Sequence, residues 1–347
     1  MQELLKDILD KFLVTHSPPG NEEEMVEAAT PYLEAYCDEV FSDPHDNLIG
    51  KIAGESSDDA ILIVTHKDEV ATMVESIDED GKVHLDPLGG IQPWRYGEGP
   101  FDLLGDEIVT GVLSVGSTHT SDRSKKIHEA KTSKPLNWEM CYVECAMTRD
   151  ELAERGVRIG ARGVVGRSRK TPMYMGERVC GFGLDDKGAC AAAMLAARLV
   201  SEGERPPLDV CFALTGTEEV GASGGQYVAH HMNASTMIAV EIAPVAPEYP
   251  IEMTASPVIF YKDSFTYTLR LCDRLCALAD ELGFGHQRGV FRSLGSDASY
   301  ALKTGAIGRA AAIGFPTENT HGYEMAHLGA IENCGRLLAA YLSDPQL

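Results

Sequence analysis

The sequence predicts an α/β protein with a mixed, mostly parallel sheet flanked by helices, and with a small β-barrel-like domain inserted into it. Apolar runs such as Ala60–Thr65 and Val210–Leu214 are typical of strands buried on both faces of a parallel sheet. Helical periodicity separates most of these runs, but between about residues 70 and 167 it gives way to short β-like runs with much Gly and Pro. We therefore predict an α/β domain over residues 1–69 and 168–347 and an inserted β-rich domain over residues 70–167.

The N-terminal segment predicts two helices. Apolar residues over Leu4–Leu13 recur at helical spacing, and the SPPG sequence at Ser17–Gly20 should end this first helix. Asn21 followed by Glu24 resembles a capping box that opens a second helix. Because proline cannot donate a backbone hydrogen bond, Pro31 should kink or shorten that helix.

Short strands are predicted both before and inside the insert. Two of them lie within Glu39–Gly54, with a turn at Asp46–Asn47. In the insert, MVESIDEDGKVHL reads as a hairpin with Asp80–Gly81 at its turn, and EIVTGVLSV and WEMCYVECAM alternate well enough to be strands. The polar and basic stretch Ser117–Pro135 reads as a long exposed loop.

Helices and strands alternate again after Arg167, as expected for an α/β domain. The predicted elements are an Ala-rich helix over Lys187–Leu199, a strand over Leu208–Leu214, a helix through Tyr227 and Val228, the strand MIAVEIAP, a helix over Phe265–Leu282, a helix capped by Ser296 or Asp297, the strand AIGRAAAIGF and a last helix over Leu328–Leu342.

The composition excludes several classes of partner and location. The formal net charge is −23, and the 30 Lys and Arg residues are not gathered into one patch, so the surface should repel nucleic acid. No apolar run is long enough to cross a membrane, and the first residues are mixed in charge, unlike a signal peptide. Cys180, Cys190 and Cys211 lie in apolar surroundings, as expected for reduced thiols. We expect a cytoplasmic protein that binds neither nucleic acid nor membrane.

The stretch Val210–Gly221, VCFALTGTEEVG, is the most informative part of the sequence. It reads as a buried strand that runs into a turn carrying Glu218 and Glu219. In open α/β sheets the ligand crevice lies outside the carboxyl ends of the strands. Two adjacent carboxylates there repel each other unless a cation or a shared proton offsets their charges. This turn therefore predicts a metal site.

Other predicted strand ends carry further metal-ligating side chains. Imidazole and carboxylate ligands suit zinc, manganese or cobalt, and five candidates at one sheet edge suggest two ions about 3.5–4 Å apart, as in two-metal hydrolases. The candidate groups are His66 with Asp68, Asp185 with Asp186, Glu218 with Glu219, Glu241 and, beyond the last strand, His321.

Each of these residues also has a structural interpretation. A lone histidine after a strand is more often a satisfied structural residue than a ligand, and Asp185–Asp186 could simply charge the first turn of the next helix. The SDAS sequence reads as a helix cap. Chance becomes an unlikely explanation only because the candidates occur together, in order, at strand ends. Seven other histidines are interpreted as structural: His16, His45, His84, His128, His230, His231 and His286.

Six motifs together resemble those of a known family, the tetrahedral-type dinuclear metalloaminopeptidases, which include glutamyl and deblocking aminopeptidases. The motifs are THKDEV, LDDKG, TEEVG, VEIAP, GSDA and ENTHGYE. The resemblance runs from SPPGNEEE to HGYE and so covers nearly the whole chain. It implies a zinc-exopeptidase-like fold. Transferred residue by residue, it implies His66 and Glu241 on one metal, Glu219 and His321 around the other, Asp185 as the bridge, Glu218 as the general base and Asp68 as the carboxylate behind His66.

The resemblance also implies an activity, a cofactor and an assembly. The activity is hydrolysis of the N-terminal bond of peptide substrates, by water that two divalent metal ions per subunit activate. Zinc is the first expectation, with cobalt or manganese as alternatives. The inserted domain would mediate dimers, and the homo-oligomer would be either a dimer or a twelve-subunit shell built from dimers.

Three positions depart from the family pattern. Asp186–Lys187 stands where Arg or Asn-Arg usually follows the bridging aspartate, and Glu241 stands where Asp is common. Lys67 stands where an apolar residue is common. A glutamate keeps the ligand chemistry of aspartate on a longer arm. The departures therefore bear on substrate preference more than on the existence of the site.

Two alternative functions remain open at the level of sequence. The DDKG spelling also occurs in dinuclear-zinc carboxypeptidases and amino-acid deacylases, but 119 positions separate His66 from Asp185 and only 80 separate Glu241 from His321. The long first gap favours the aminopeptidase interpretation. The other alternative is a catalytically silent binding or scaffold protein on the same fold, which would be expected to have lost ligands that are all present here.

Overall fold

The structure is a computed structural model that describes residues 1–345. Its strands form two separate sheets. Numbered in chain order, they are β1 (Glu39–Ser42), β2 (Leu48–Ile52), β3 (Ser56–His66), β4 (Ala71–Ile77), β5 (Val83–Leu88), β6 (Gly99–Leu104), β7 (Ile108–Ser114), β8 (Tyr142–Glu144), β9 (Arg162–Val165), β10 (Met173–Met175), β11 (Arg178–Gly181), β12 (Leu208–Thr215), β13 (Thr236–Pro244), β14 (Val258–Lys262), β15 (Gln287–Val290), β16 (Arg309–Glu318) and β17 (Glu324–His327).

The helices cover the first of these sheets and decorate the second. No helix within residues 1–345 is long and apolar enough to span a membrane. In chain order the helices are α1 (Gln2–Phe12), α2 (Glu23–Tyr36), α3 (Pro93–Tyr96), α4 (Lys125–Thr132), α5 (Arg149–Glu154), α6 (Leu184–Glu202), α7 (Ser223–His231), α8 (Leu269–Glu281), α9 (Asp297–Thr304) and α10 (Leu328–Ser343).

The larger sheet has eleven strands in the order β1-β2-β12-β3-β13-β16-β17-β11-β10, with β14 paired to β16 and β15 paired to β14. The central strands β12, β3, β13 and β16 are parallel to one another. Antiparallel pairs join the outer strands on both sides, except that the edge strand β15 is parallel to β14. The predicted mixed sheet is therefore confirmed, and its parallel part is concentrated where the candidate ligands lie.

Small residues let helix α6 lie close to the sheet and to α10. A Cβ atom on Gly188 would come within 2.7 Å of the Phe315 ring, and one on Gly335 within 2.7 Å of the Ala192 carbonyl oxygen. The Ala-rich sequence that predicted this helix thus also explains its burial, because bulkier side chains would hold the layers apart. This close packing places the start of α6 at the carboxyl ends of the central strands.

The second sheet is a closed antiparallel barrel in the order β4-β5-β8-β7-β6-β9, so its strands run from Ala71 to Val165. It has its own apolar core, which includes Phe101, Leu103 and Val143. The β-barrel-like insert of the predicted fold class is confirmed. The division of the chain at residues 70 and 167, and the role of the insert in dimers, stay predictions.

Several local predictions were wrong because tertiary contacts compete for the same groups. Helix α2 has no side-chain cap, since the Glu24 carboxylate instead accepts hydrogen bonds from the His16 backbone N–H and from Arg167. The helix also continues through Pro31 to Tyr36 and is not shortened. The Ser296 cap of α9 is confirmed, since its hydroxyl accepts the Ser299 N–H.

The insert and the sheet edges hold further differences. The expected loop Ser117–Pro135 contains the exposed helix α4. In WEMCYVECAM only Tyr142–Glu144 is a strand, because Trp138 begins a 3-10 turn and its indole N–H donates to the Ile91 carbonyl. The short strands β10, β11, β14, β15 and β17 carry too few residues to show a period and were not predicted. All nine cysteines are free, as expected.

Candidate metal centre

The structure brings all the predicted metal ligands to one edge of the larger sheet. His66 is the last residue of β3, Glu241 lies in β13, and Asp185 lies at the start of α6. Glu219 follows β12 in the TGTEEVG turn, and His321 lies between β16 and β17. The parallel arrangement of β12, β3 and β13 explains this convergence, because parallel strands end at the same edge.

A first cluster is formed by His66, Asp185, Asp186 and Glu241. All four side chains are buried, and each offers one ligand atom within 4.8 Å of the others. The His66 Nε2 atom is 3.1 Å from Asp185 Oδ1, and the His66 backbone N–H donates to Asp186 Oδ2 over 3.2 Å. From the sequence, Asp186 was a candidate only as the neighbour of Asp185. In the structure its own carboxylate lies close enough to the other three residues to be a ligand.

A second cluster is formed by Asp185, Glu219 and His321, again with one ligand atom each within 4.8 Å of the others. The His321 Nε2 atom is 3.4 Å from Asp185 Oδ2 and 3.6 Å from Glu219 Oε1. Asp185 therefore belongs to both clusters and turns one carboxylate oxygen toward each imidazole.

The charges of these clusters fit divalent cations. The buried atoms Asp186 Oδ1 and Glu219 Oε1 have no hydrogen-bond partner within residues 1–345. Burial raises the pKa of Glu219 to about 7, against the opposing effect of His321, and burial together with Asp186 raises the pKa of Glu241 well above its usual range. Unpaired carboxylates packed this closely are costly without a cation, and imidazole and carboxylate ligands suit zinc, cobalt and manganese.

Glu218 lies beside the clusters and Asp68 lies behind the turn that carries it. Burial raises the pKa of the Glu218 carboxyl well above its usual range. The Asp68 carboxylate accepts the backbone N–H groups of Glu218 and Glu219 over 3.0 and 3.2 Å. The expected contact to His66 is longer, since His66 Nδ1 lies 3.6 Å from the Asp68 carboxylate and 3.0 Å from the Asp68 carbonyl oxygen.

Glu324 is a residue of this centre that was not predicted from the sequence. Its buried carboxylate accepts the backbone N–H of Asp185 over 3.0 Å and that of His321 over 3.1 Å. His321 needs such support because its backbone lies in the left-handed region, with φ at 58°. Glu324 was present in the ENTHGYE motif, but only the tertiary structure gives it two backbone partners.

Asp297 is a second buried carboxylate near the centre. It accepts a hydrogen bond from Thr215 Oγ1, and its Oδ1 atom has no partner within the described residues. Burial raises its pKa to about 6, although the hydrogen bond from Thr215 opposes this. The sequence suggested Asp297 only as a possible helix cap, a role that Ser296 takes instead.

A cavity of about 510 Å³ opens over the clusters. Besides the candidate ligands and Glu218, its lining includes Ile242 of β13, Tyr300 of α9, and Tyr249 and Leu294 in loops. This size and mixture are typical of a site for a small substrate or the end of a longer one.

The other histidines lie outside the clusters, as predicted. His16 is buried with its Nε2 atom 3.0 Å from Asp102, and His84 and His286 pair with exposed aspartates. Lys187, one of the departures from the family pattern, does not line the cavity. Its ammonium donates to the Thr15 carbonyl over 2.9 Å and lies 3.3 Å from Glu69.

The fold and this centre together define a peptide hydrolase with a site for metal ions. The chain belongs to the M42 glutamyl aminopeptidase family, whose profile matches residues 46–337. The predicted family and the predicted enzyme class are therefore confirmed.

Individual relatives agree with this membership. One relative is a protein of Acetivibrio thermocellus that bears the name "Putative aminopeptidase". It is 27% identical over 346 residues, which cover 97% of this chain and 98% of the relative. The lysyl aminopeptidase of Pyrococcus furiosus is 25% identical over 225 residues, or 60% of this chain and 58% of the relative.

Solved structures share the fold over almost the full length. An aminopeptidase from Desulfurococcus kamchatkensis has a TM-score of 0.88 at 19% identity and covers 99% of this chain and 95% of its own. The TET1 peptidase of Pyrococcus horikoshii, which can assemble into a tetrahedron or a large octahedral shell, has a TM-score of 0.84 at 24% identity and covers 98% of this chain and 99% of its own.

Proposed function

We propose that the chain removes N-terminal residues from peptides, with two divalent ions per subunit held by the two clusters. Zinc is the first expectation, and cobalt or manganese would suit the same ligands. The observation that carries the proposal is the position of Asp185, whose two carboxylate oxygens face the two different imidazoles. A shared carboxylate of this kind is what a two-metal hydrolase needs to hold its ions close together.

The proposed ligands follow from the clusters. Asp185 would be shared between the two ions, His66 and Glu241 would hold one of them, and Glu219 and His321 would hold the other. Asp186 is a further potential ligand in the first cluster. When bound, such ions lower the pKa of a water molecule toward neutrality and polarise the scissile carbonyl.

Glu218 is the proposed general base. Its carboxyl lines the cavity beside the clusters, where it can take the proton of the attacking water and return it to the leaving amine. Asp68 is a positioning residue, because its carboxylate holds the backbone N–H groups of both glutamates in the turn. Glu324 in the same way supports the backbone of Asp185 and His321.

The change Glu218→Gln tests this assignment. Glutamine keeps the size of the side chain but cannot accept the proton, so kcat should fall by on the order of 10²–10⁴-fold. Both metal ions should remain bound, which elemental analysis of the purified protein would measure. The exposed pair partner Glu107 offers a matched control, since Glu107→Gln lies on the barrel and should leave kcat unchanged. Wild-type turnover in Glu218→Gln would refute the assignment.

The reaction class is tested with paired substrates on the same preparation. Aminoacyl p-nitroanilides with a free amino group should be cleaved after addition of zinc, cobalt or manganese, whereas N-acetyl amino acids should not. The opposite preference would indicate a deacylase. Absence of bound metal and of both activities would indicate a catalytically silent protein.

We also propose that the chain forms a homo-oligomer, with the barrel as the dimer contact and a twelve-subunit shell as the larger form. Shell assembly by the structurally similar Pyrococcus horikoshii peptidase supports this. A cytoplasmic location is proposed because all nine cysteines are free. The molecular mass in solution would distinguish monomer, dimer and shell.

A further inference from the structure

Lys67 is a buried lysine whose ammonium has no hydrogen-bond partner within residues 1–345. Its side chain is 1% exposed, and the nearest carboxylate oxygen, Glu22 Oε2, lies 3.7 Å away, beyond hydrogen-bond distance. The other fully buried ammonium groups are satisfied. Lys170, for example, donates to the Thr15 carbonyl over 2.8 Å and to both oxygens of Glu69 over 2.6 and 2.8 Å. A lysine has three N–H donors, so Lys67 can still bind an acceptor.

Lys67 lines a second cavity, of about 620 Å³, that shares no lining residue with the cavity over the metal centre. Its volume lies in the range typical of small-molecule sites, about 300–1,000 Å³. Glu22 lines the same cavity, and its Oε1 atom accepts the Gly20 backbone N–H over 2.8 Å. The apolar part of the wall is contributed by Val26 and Pro44.

The rim of this cavity carries the opposite charge. The exposed carboxylates of Glu23, Glu27 and Asp46 line it, while the one lysine among its lining residues is the buried Lys67. A simple anion would be repelled at the rim, whereas the bottom offers an anion the unsatisfied N–H donors of Lys67. A molecule with a carboxylate at one end and an ammonium at the other satisfies both regions.

We infer that this cavity binds a free α-amino acid with an apolar side chain. The carboxylate pairs with Lys67, the ammonium pairs with the rim carboxylates, and the side chain packs against Val26 and Pro44. A charge-assisted hydrogen bond to a buried ammonium is among the stronger polar contacts available in a protein.

The cavity also touches the turn that carries the proposed general base. Gly216 and Thr217 line it, and Glu218 is the next residue in the chain. Gly216 lies against the ammonium, since a Cβ atom added there would be 2.8 Å from Lys67 Nζ. A ligand bound to Lys67 would therefore contact Gly216 and Thr217, where the turn that carries Glu218 begins, and should alter kcat. This consequence, though not the binding itself, rests on the proposed function, in which free amino acids are products.

Calorimetric titration with L-leucine tests the binding. We expect two molecules per wild-type chain, one in the cavity and one as product at the metal centre, and one molecule per chain in Lys67→Met. Methionine is close to lysine in shape, so a change in folding is not expected, and thermal unfolding would check this. Lys82→Met, on the barrel, is the matched control for the loss of one positive charge and should bind as the wild type does.

Two analogues separate the ends of the ligand. N-acetyl-L-leucine lacks the ammonium and L-leucinamide lacks the carboxylate, so each should bind the cavity at least about tenfold more weakly than L-leucine. The double variant Glu23→Gln, Glu27→Gln should weaken L-leucine and leave N-acetyl-L-leucine unchanged. Inorganic phosphate should not displace L-leucine.

The kinetic readout is the effect of L-leucine on p-nitroanilide hydrolysis. L-leucine bound at the metal centre should raise only the apparent KM. L-leucine bound in the cavity should change kcat at saturating substrate. The variant Lys67→Met should lose the effect on kcat and keep the effect on the apparent KM. Equal stoichiometry in wild type and Lys67→Met, or tighter binding of phosphate than of L-leucine, would overturn the inference. Two-site binding without any hydrolysis would support the cavity and count against the proposed function instead.

Discussion

The metal centre and another group of buried ionisable side chains differ in how their charges are balanced. In the metal centre, carboxylates outnumber imidazoles and two carboxylate oxygens have no hydrogen-bond partner within residues 1–345. The other group, which we name the Lys170 network, carries two ammonium groups and two carboxylates around one histidine. Its members are His16, Glu69, Asp102, Lys170 and Lys187.

Contacts within the Lys170 network account for its stability without any ligand. Lys170 contacts the Glu69 carboxylate and His16 Nδ1, and Lys187 lies 3.3 Å from Glu69. Burial raises the pKa of Glu69, but the two ammonium groups outweigh it and hold that pKa at about 2. Asp102 belongs to the barrel, so the network joins the barrel to the α/β domain.

The comparison suggests a general criterion for buried charges. A cluster whose charges cancel among protein groups holds the fold, whereas one with unpaired groups of like sign requires a cation from outside. By this criterion the metal centre should depend on its ions, and the Lys170 network should be indifferent to them.

The largest expected effect is that of Asp185→Ala. Because this residue faces both imidazoles, the variant should lose both ions and nearly all turnover. At a metal concentration of 100 to 1,000 times Kd, bound metal stabilises a protein by about 3–4 kcal/mol, and this increment should vanish. Elemental analysis and thermal unfolding with and without zinc would measure both effects. Asp78→Ala, at an exposed position, is the control. If Asp185→Ala retained two ions, the metal centre would not depend on this shared carboxylate, and the contrast with the Lys170 network would fail.

The next effect is that of Glu69→Gln in the Lys170 network. Removing the one carboxylate between two buried ammonium groups should lower the free energy of unfolding by about 3–5 kcal/mol, with or without metal. Urea denaturation monitored by circular dichroism would measure it. The exposed Arg155–Glu107 pair is the control, since Glu107→Gln should change stability by less than about 1 kcal/mol. A stability loss that appears only when metal is present would contradict the separation of the two clusters.

The smallest expected effect is a loss of folding stability at acid pH. Burial lowers the pKa of His16, although the hydrogen bond to Asp102 opposes this. Burial alone would raise the pKa of Asp102, but the hydrogen bonds that it accepts from His16 and Thr110 outweigh burial and hold this pKa at about 2. Both groups take up protons more readily in the unfolded chain. Stability should therefore fall as pH drops below about 6.5, through His16, and again between about pH 4 and 2, through Asp102.

Denaturation at pH 7.5 and 5.5 isolates the histidine. The variant His16→Gln should lack the part of the pH dependence that His16 contributes, while His84→Gln, at an exposed pair, should retain it. The groups that face His16 are Asp102, Lys170, Glu69 and Arg167. A higher stability of the wild type at pH 5.5 than at pH 7.5 would mean that His16 is charged in the folded state.

Much of the fold and of the candidate site could be predicted because it depends on local patterns. Apolar runs located β3, β12 and β13, and alanine-rich periodicity located α6. Their ends then pointed to His66, Asp185, Glu219 and Glu241. Elements without a local period were missed, such as the four-residue strand β15 and the helix α4, which is exposed and polar.

The partners of individual side chains were harder to predict. Asp68 was expected behind His66, but its carboxylate is closer to the backbone of the Glu218–Glu219 turn, 150 positions away. Lys187 and Lys67 were noted as departures from the family pattern with a bearing on substrate. In the structure Lys187 lies 3.3 Å from Glu69, and Lys67 lines a cavity separate from the metal centre, while the bearing on substrate preference stays a prediction.

The α/β class, the inserted β-rich region and the residue types at the strand ends could be predicted without a structure, because strand and helix periods and end signals span only a few residues. Which charged side chains meet could be seen only once the chain was folded. Lys170 and Glu69 are 101 positions apart, and Lys187 and Glu69 are 118 apart. Whether such groups neutralise one another or remain unpaired depends on how distant segments pack, and that packing separates a structural charge network from a ligand site.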